Sequence, residues 1–161
     1  MELPVLARLK KELAELKHEL TSKLPKELAA AAAHGDLSEN AEYEAAKNRQ
    51  DFVRSRIGQL EGRVRELSMY NVSSIPHDVV AYGSRVTVED GDSGESTVYT
   101  IVFPEEVDAA SGAISLSSPI GKALLNKSVG DEVEVQAPGG KRNYSIVSLV
   151  TLHEATAARD Q

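Results

Sequence analysis

Two apolar seams with the three-four spacing of a heptad fill the first 70 residues, and only a short polar segment separates them. Leu6, Leu9, Leu13, Leu16 and Leu20 recur at steps of 3, 4, 3 and 4, and the line continues through Leu24 and Leu28 into the run Ala29 to Ala33. Val53, Ile57, Leu60, Val64 and Leu67 then step by 4, 3, 4 and 3, preceded by Ala45, Ala46 and Phe52. Each seam is one apolar stripe of a helix, with Lys10, Lys11, Glu12, Lys17 and Glu19 on outward positions, and such a stripe needs a partner. The link is His34-Gly35-Asp36-Leu37-Ser38-Glu39-Asn40, in which Gly35 suits the left-handed end of a helix and Asp36 or Ser38 can cap the next. So short a connection makes the two helices antiparallel neighbours. The expected first domain is therefore an α-helical coiled-coil hairpin over residues 1–73 with its tip at 34–40. Pro25 lies inside the first seam, where it predicts a kink or a distorted turn. An arm of about 28 residues rises about 40 Å, a longer projection than stability alone requires.

After residue 74 the period changes to two. Val86 to Val88, Val98 to Val102, Ile114 to Leu116, Val133 to Val135 and Tyr144 to Val147 alternate or run β-branched. Turn clusters stand at Asp90-Gly91-Asp92-Ser93-Gly94 and Pro138-Gly139-Gly140. One short helix interrupts the strands, with Ser118 as N-cap, Pro119 in its first position and Ile120, Ala123, Leu124 and Leu125 as its face. The second domain is expected over 77–155 as an antiparallel sheet with that helix, joined to the hairpin by Ser73-Ser74-Ile75-Pro76. The fold class is thus α+β.

Composition removes several functions. There is no Cys, so a disulfide scaffold, a thiolate zinc site and a cysteine nucleophile are excluded, and His18, His34, His77 and His153 show no ligand spacing. Aromatics are 4% of the chain, too few for an aromatic cage or a proline-isomerase pocket. Residues 1–70 hold 12 basic and 12 acidic side chains, while residues 71–161 hold 6 and 13, which accounts for the whole net charge of −7. Independent binding of the second half to a nucleic-acid backbone is therefore disfavoured. No apolar run approaches the length of a membrane helix, and the start Met-Glu-Leu-Pro has no signal-peptide character, so a cytoplasmic protein is expected.

Two apparent catalytic motifs fail on context. Gly91-Asp92-Ser93-Gly94 has no His and Asp arranged before it for a serine-protease triad, and Pro138-Gly139-Gly140-Lys141 lacks the spacing of a phosphate loop. Both are turns. Asp36 and Glu39 remain, and their spacing alone admits two readings: a capping box at a helix start, or a pair of carboxylates carried on the tip for chemistry.

The residues around that pair carry a resemblance. Gly35-Asp36-Leu37-Ser38-Glu39-Asn40-Ala41-Glu42-Tyr43, followed by Ala45-Ala46-Lys47, closely resembles the signature of the bacterial Gre transcript-cleavage factors. Ile114-Ser-Leu-Ser-Ser118-Pro119-Ile120-Gly-Lys-Ala-Leu-Leu125, Val129-Gly130-Asp131-Glu132-Val133 and Pro138-Gly139-Gly140 resemble the C-terminal domain of the same family. The resemblance runs from about residue 6 to residue 150. It implies an FKBP-like second domain that docks at the rim of the secondary channel of bacterial RNA polymerase, with Ser118, Pro119 and Ile120 at the contact. It implies a hairpin that enters the channel, with Asp36 and Glu39 as catalytic acids sharing a polymerase Mg²⁺, and Lys47 and Arg49 facing the RNA 3′ end and the nucleic acid of the elongation complex. On this reading the chain stimulates cleavage of backtracked RNA by the polymerase and is no nuclease alone. A Gre-like regulator that occupies the channel without promoting cleavage is the rival. The free chain is expected to be a monomer that binds no Mg²⁺ tightly. Three positions depart from the family pattern: Ala29 to Ala33 stand where a basic residue is common, Pro25 is nearer the tip than usual, and Asn126 replaces a glycine but tolerates the left-handed conformation.

Overall fold

The computed structural model describes residues 2–35 and 40–159. They form two compact units, Met1–Val72 and Ser73–Gln161.

The first unit is the hairpin. Helix α1 spans Pro4–His18, a π-helical turn spans Glu19–Lys23, α2 spans Leu24–Ala32 and α3 spans Ala41–Ser68. Pro opens α1 at its first turn, where the missing N–H leaves no helical bond unmade. The distortion expected at Pro25 falls one turn earlier. Pro25 cannot donate to the carbonyl four residues back, and the backbone widens instead, so that the Leu24 amide reaches the Glu19 carbonyl five residues away. The Thr21 hydroxyl donates to the Lys17 carbonyl at 2.8 Å, compensating inside the widened turn.

This turn changes the seam. On α3 the buried residues Ala46, Val53, Leu60 and Leu67 stand seven apart, whereas on the first arm Leu9, Leu16, Leu24 and Ala31 are separated by 7, 8 and 7. The π turn absorbs one extra residue, so the apolar stripe faces α3 on both sides of it. Leu13, Leu20 and Leu28, expected on the seam, are only half-buried.

The second unit contains β1 (Arg85–Asp90), β2 (Ser96–Val102), β3 (Ala113–Ser115), α4 (Pro119–Leu124), β4 (Glu132–Ala137), β5 (Gly140–Val150) and α5 (Leu152–Arg159). The sheet order is β3-β2-β1-β5-β4. Pairing is antiparallel except between β2 and β3, which are parallel. Alternation along the strands places Val86, Val88, Ile101, Val133, Val135 and Ile146 in one core with Val80 and with Leu124 of α4. A register shift at Thr87/Val88 lets β5 carry one extra residue against β1.

Two turns read from sequence have defined chemistry. The Asp90 carboxylate accepts from the Asp92 and Ser93 amides at 2.8 and 3.2 Å and from Arg142 at 3.1 Å. Those bonds, the amides foremost, hold its pKa below the ordinary aspartate value. Asn126, with φ of 66°, is the sole described residue other than glycine in the left-handed region, as its short polar side chain permits. Helix α5 was not expected. Its signal was Thr151-x-x-Glu154, a capping-box spacing, and the Thr151 hydroxyl accepts from the Glu154 amide at 3.4 Å.

Candidate functional site

Asp36 and Glu39, the acids singled out from the sequence, lie outside the described residues. Their flanks are described. Gly35 has φ of 100°, a conformation that favours glycine, with open space around it. The N-cap of α3 is Asn40, whose side chain accepts from the Tyr43 amide at 3.1 Å. The capping role expected of Asp36 or Ser38 is therefore filled by Asn40, because α3 begins only at Ala41 and a cap must directly precede the first helical residue. Asn40 also donates through Nδ2 to the Ala31 carbonyl at 2.6 Å, across to the first arm. His34 and Glu42 approach to 4.0 Å on the same ends, both largely exposed.

The two basic residues behave differently. Lys47 is exposed and touches only Gln50 Oε1, at 3.4 Å, among the contacts described. Arg49 donates from Nε and Nη2 to the Glu19 carboxylate at 2.6 and 2.9 Å and lies over the Phe52 ring at 5.2 Å. Its bond to Glu19 lowers the pKa of that carboxyl and raises its own. Arg49 thus ties the arms together. Between them, Glu27, Ala30, Ala31, Glu42, Ala45, Ala46 and Arg49 line an open groove of about 440 Å³. Alanines on both helices are too small to fill the space between the backbones.

On the second unit, Ser118 is the N-cap of α4. Its hydroxyl accepts from the Gly121 amide at 3.1 Å and donates to the Ser115 carbonyl at 2.7 Å. Ile120 is half-buried against the core, while Pro119, at the first helical position, is exposed. Ser118 and Ile120 therefore carry structure and Pro119 offers free surface. Gly121 is required locally, since a Cβ there would meet the Ser115 carbonyl oxygen at 2.1 Å.

The fold also creates a pair that sequence could not show. His77 and His153 stack with ring centres 3.8 Å apart, and His153 Nε2 donates to the Ile75 carbonyl at 2.7 Å. No group of three or more His, Asp or Glu side chains among the described residues is placed to hold a metal ion. No helix of the described residues is long and apolar enough to cross a membrane.

The two units are an antiparallel helical hairpin, its first-arm seam shifted by one π turn, and a small α+β domain. Comparison with known proteins gives the class. The family model for the transcription elongation factor N-terminal domain matches residues 5–68, and that for the GreA/GreB C-terminal domain matches residues 75–150. The transcription elongation factor GreA of Anaeromyxobacter sp. (strain K) is 44% identical over 149 residues, covering 92% of this chain and 90% of that one. GreA of Rhodospirillum rubrum is 46% identical over 144 residues, covering 89% and 92%. Among solved structures, GreA factor homolog 1 of Thermus thermophilus is 31% identical, covers 90% of this chain and 94% of that one, and superposes with a TM-score of 0.41. The chain belongs to the GreA/GreB family of transcription elongation factors.

Proposed function

We propose that this elongation factor docks on RNA polymerase through the second unit, inserts the hairpin into the secondary channel, and stimulates the polymerase to cleave the 3′ end of backtracked RNA. The observation that carries this reading is the cap. Asn40 caps the start of α3, so the Asp36-x-x-Glu39 pattern is not needed as that helix's capping box. Helix α3 is 28 residues, about 42 Å, a length suited to carrying side chains down a narrow channel. The donor chemistry also fits. Mg²⁺ takes one or two carboxylates and completes its shell with water and phosphate oxygens, so Asp36 and Glu39 would hold such an ion only together with a polymerase and its RNA. Bound there, the ion would activate water and neutralise charge on the phosphate. The free chain is then no nuclease.

What the chain itself supplies is delivery and orientation. The heptad seam and the cross-arm ion pairs keep the hairpin straight enough to enter, Lys47 places a cation on the second arm near the RNA, and exposed Pro119 provides docking surface. The test is an RNA cleavage assay on stalled elongation complexes with and without the factor. Stimulation by the parent that Asp36→Asn and Glu39→Gln both abolish, with polymerase binding kept, supports the reading. Equal stimulation by all three overturns it, and inhibition of both cleavage and nucleotide addition identifies a channel plug.

A further inference from the structure

The side chain of Asn40 bonds in two directions at the base of the tip. Nδ2 donates to the Ala31 carbonyl in the last turn of α2, at 2.6 Å, and Oδ1 accepts from the Tyr43 amide in the first turn of α3, at 3.1 Å. The orientation of the amide follows from its partners. A carbonyl can only accept and a backbone N–H can only donate, so the flipped amide would set oxygen against oxygen and N–H against N–H. One residue thereby gives a second donor to the Ala31 carbonyl, which also accepts from the His34 amide at 3.2 Å, and satisfies an orphan donor at the start of α3.

Among the described residues, little else joins the arms at this level. Beyond Leu24 the first arm buries only Ala31 among the described residues, and before Val53 the second buries only Ala46. Methyl groups bury little area, and the groove beside them leaves part of that area wet. The His34–Glu42 pair is long and exposed. Among the described residues, the directional contact across the end of the hairpin is the clasp from Asn40.

We propose that Asn40 is a positioning residue for the tip, its bond to Ala31 setting the separation of the two arms at Gly35 and Asn40, the described residues that flank Asp36 and Glu39 in the sequence. The inference rests on the reading of Asp36 and Glu39 as the working acids. Their job is one of placement, and a misplacement of about 1 Å at a reacting centre can cost on the order of 100-fold in rate.

Capping and clasping are separable by substitution. In Asn40→Asp the carboxylate keeps the acceptor for Tyr43, gains a favourable interaction with the helix dipole, and loses the donor to Ala31. In Asn40→Ser the acceptor is kept without added charge, and the hydroxyl is too short to span Tyr43 and Ala31 together. Two measurements on the full chain decide the matter: the cleavage rate of stalled complexes against factor concentration, and amide hydrogen exchange along the hairpin. The expected result is that both variants lower the rate at saturating factor by about tenfold or more, leave the half-saturating concentration unchanged, and speed exchange at His34 and Gly35 while Tyr43 stays protected. If both cleave like the parent, or if only the half-saturating concentration moves, Asn40 does not position the acids. Unchanged exchange at His34 and Gly35 shows that the clasp does not hold the arms, and also overturns the proposal. A parent that stimulates no cleavage refutes the functional reading instead, a separate outcome, and the positioning role falls with it.

Discussion

Arg49 reaches across the hairpin to Glu19, the first residue of the π-helical turn, and holds both of its carboxylate oxygens at 2.6 and 2.9 Å. The bidentate pair therefore sits on the one irregular turn of the first arm, where the backbone hydrogen-bond pattern changes. Arg56 makes a second such bond to Glu12, at 3.0 and 3.3 Å. Planar guanidinium forks are suited to this because two parallel bonds fix direction as well as distance.

The Glu19 pair gives a signed pH dependence. The hydrogen bond from Arg49 places the folded pKa of Glu19 below its unfolded value. Its contribution is therefore present above the ordinary glutamate pKa of about 4.3 and is lost as pH falls through the lower folded value. Hairpin stability of Glu19→Gln should fall less steeply than that of the parent between about pH 5 and pH 3. Melting by far-ultraviolet circular dichroism across that range measures it, and parallel curves would remove the pair as a contributor. High salt should shrink the difference, since both partners are partly exposed.

Leu24 and Leu28 test the shifted seam. Leu24 is 1% exposed and Leu28 only half-buried. Leu24→Ala should cost about 2–5 kcal/mol by leaving a cavity between the arms. Leu28→Ala should cost roughly 1 kcal/mol or less. Equal losses in urea denaturation would mean that the seam runs as an unbroken heptad through Leu20 and Leu28.

Pro119 and Gly121, two residues apart, should separate docking from folding. Pro119→Ala removes exposed surface and should weaken competition for polymerase while leaving the melting temperature nearly unchanged. Gly121→Ala forces a Cβ into the Ser115 carbonyl and should destabilise the second unit by about 1–3 kcal/mol. Unchanged affinity of Pro119→Ala in a binding titration would leave this helix start a purely structural feature.

Metal delivery should appear as a shift in Mg²⁺ demand. Two carboxylates without phosphate or polymerase ligands form an incomplete site, so the free chain should bind Mg²⁺ only weakly. In the complex, saturating factor should lower the Mg²⁺ concentration for half-maximal cleavage, and Asp36→Asn should raise it again. Cleavage rates across a Mg²⁺ titration measure this directly. An unshifted midpoint would exclude delivery of the ion even where stimulation remains.

Much of this molecule is local and was legible in the residues alone. Periods of 3.5 and 2 identify helices and strands because side-chain direction repeats with the backbone, so the hairpin, the α+β class and the inward strand faces follow from spacing. Ser118-Pro119 marks a helix start, and Asn126 a left-handed turn, because both are decided within a few residues. The acidic signature between the seams was equally plain. Tertiary structure decided the rest, wherever a choice depended on a partner distant in the chain. A heptad line cannot reveal that Leu16 and Leu24 face the same helix eight residues apart, since the extra residue of the π turn is justified only by α3 opposite. Several residues between the arms could cap a helix, and the one that does is Asn40, whose side chain also reaches Ala31 on the other arm. Alternation names the face of β3 but not its parallel neighbour β2. Glu19 with Arg49, and His77 with His153, are 30 and 76 residues apart. Nothing in their local sequence joins them, because the free energy of each contact is available only after the chain between has closed.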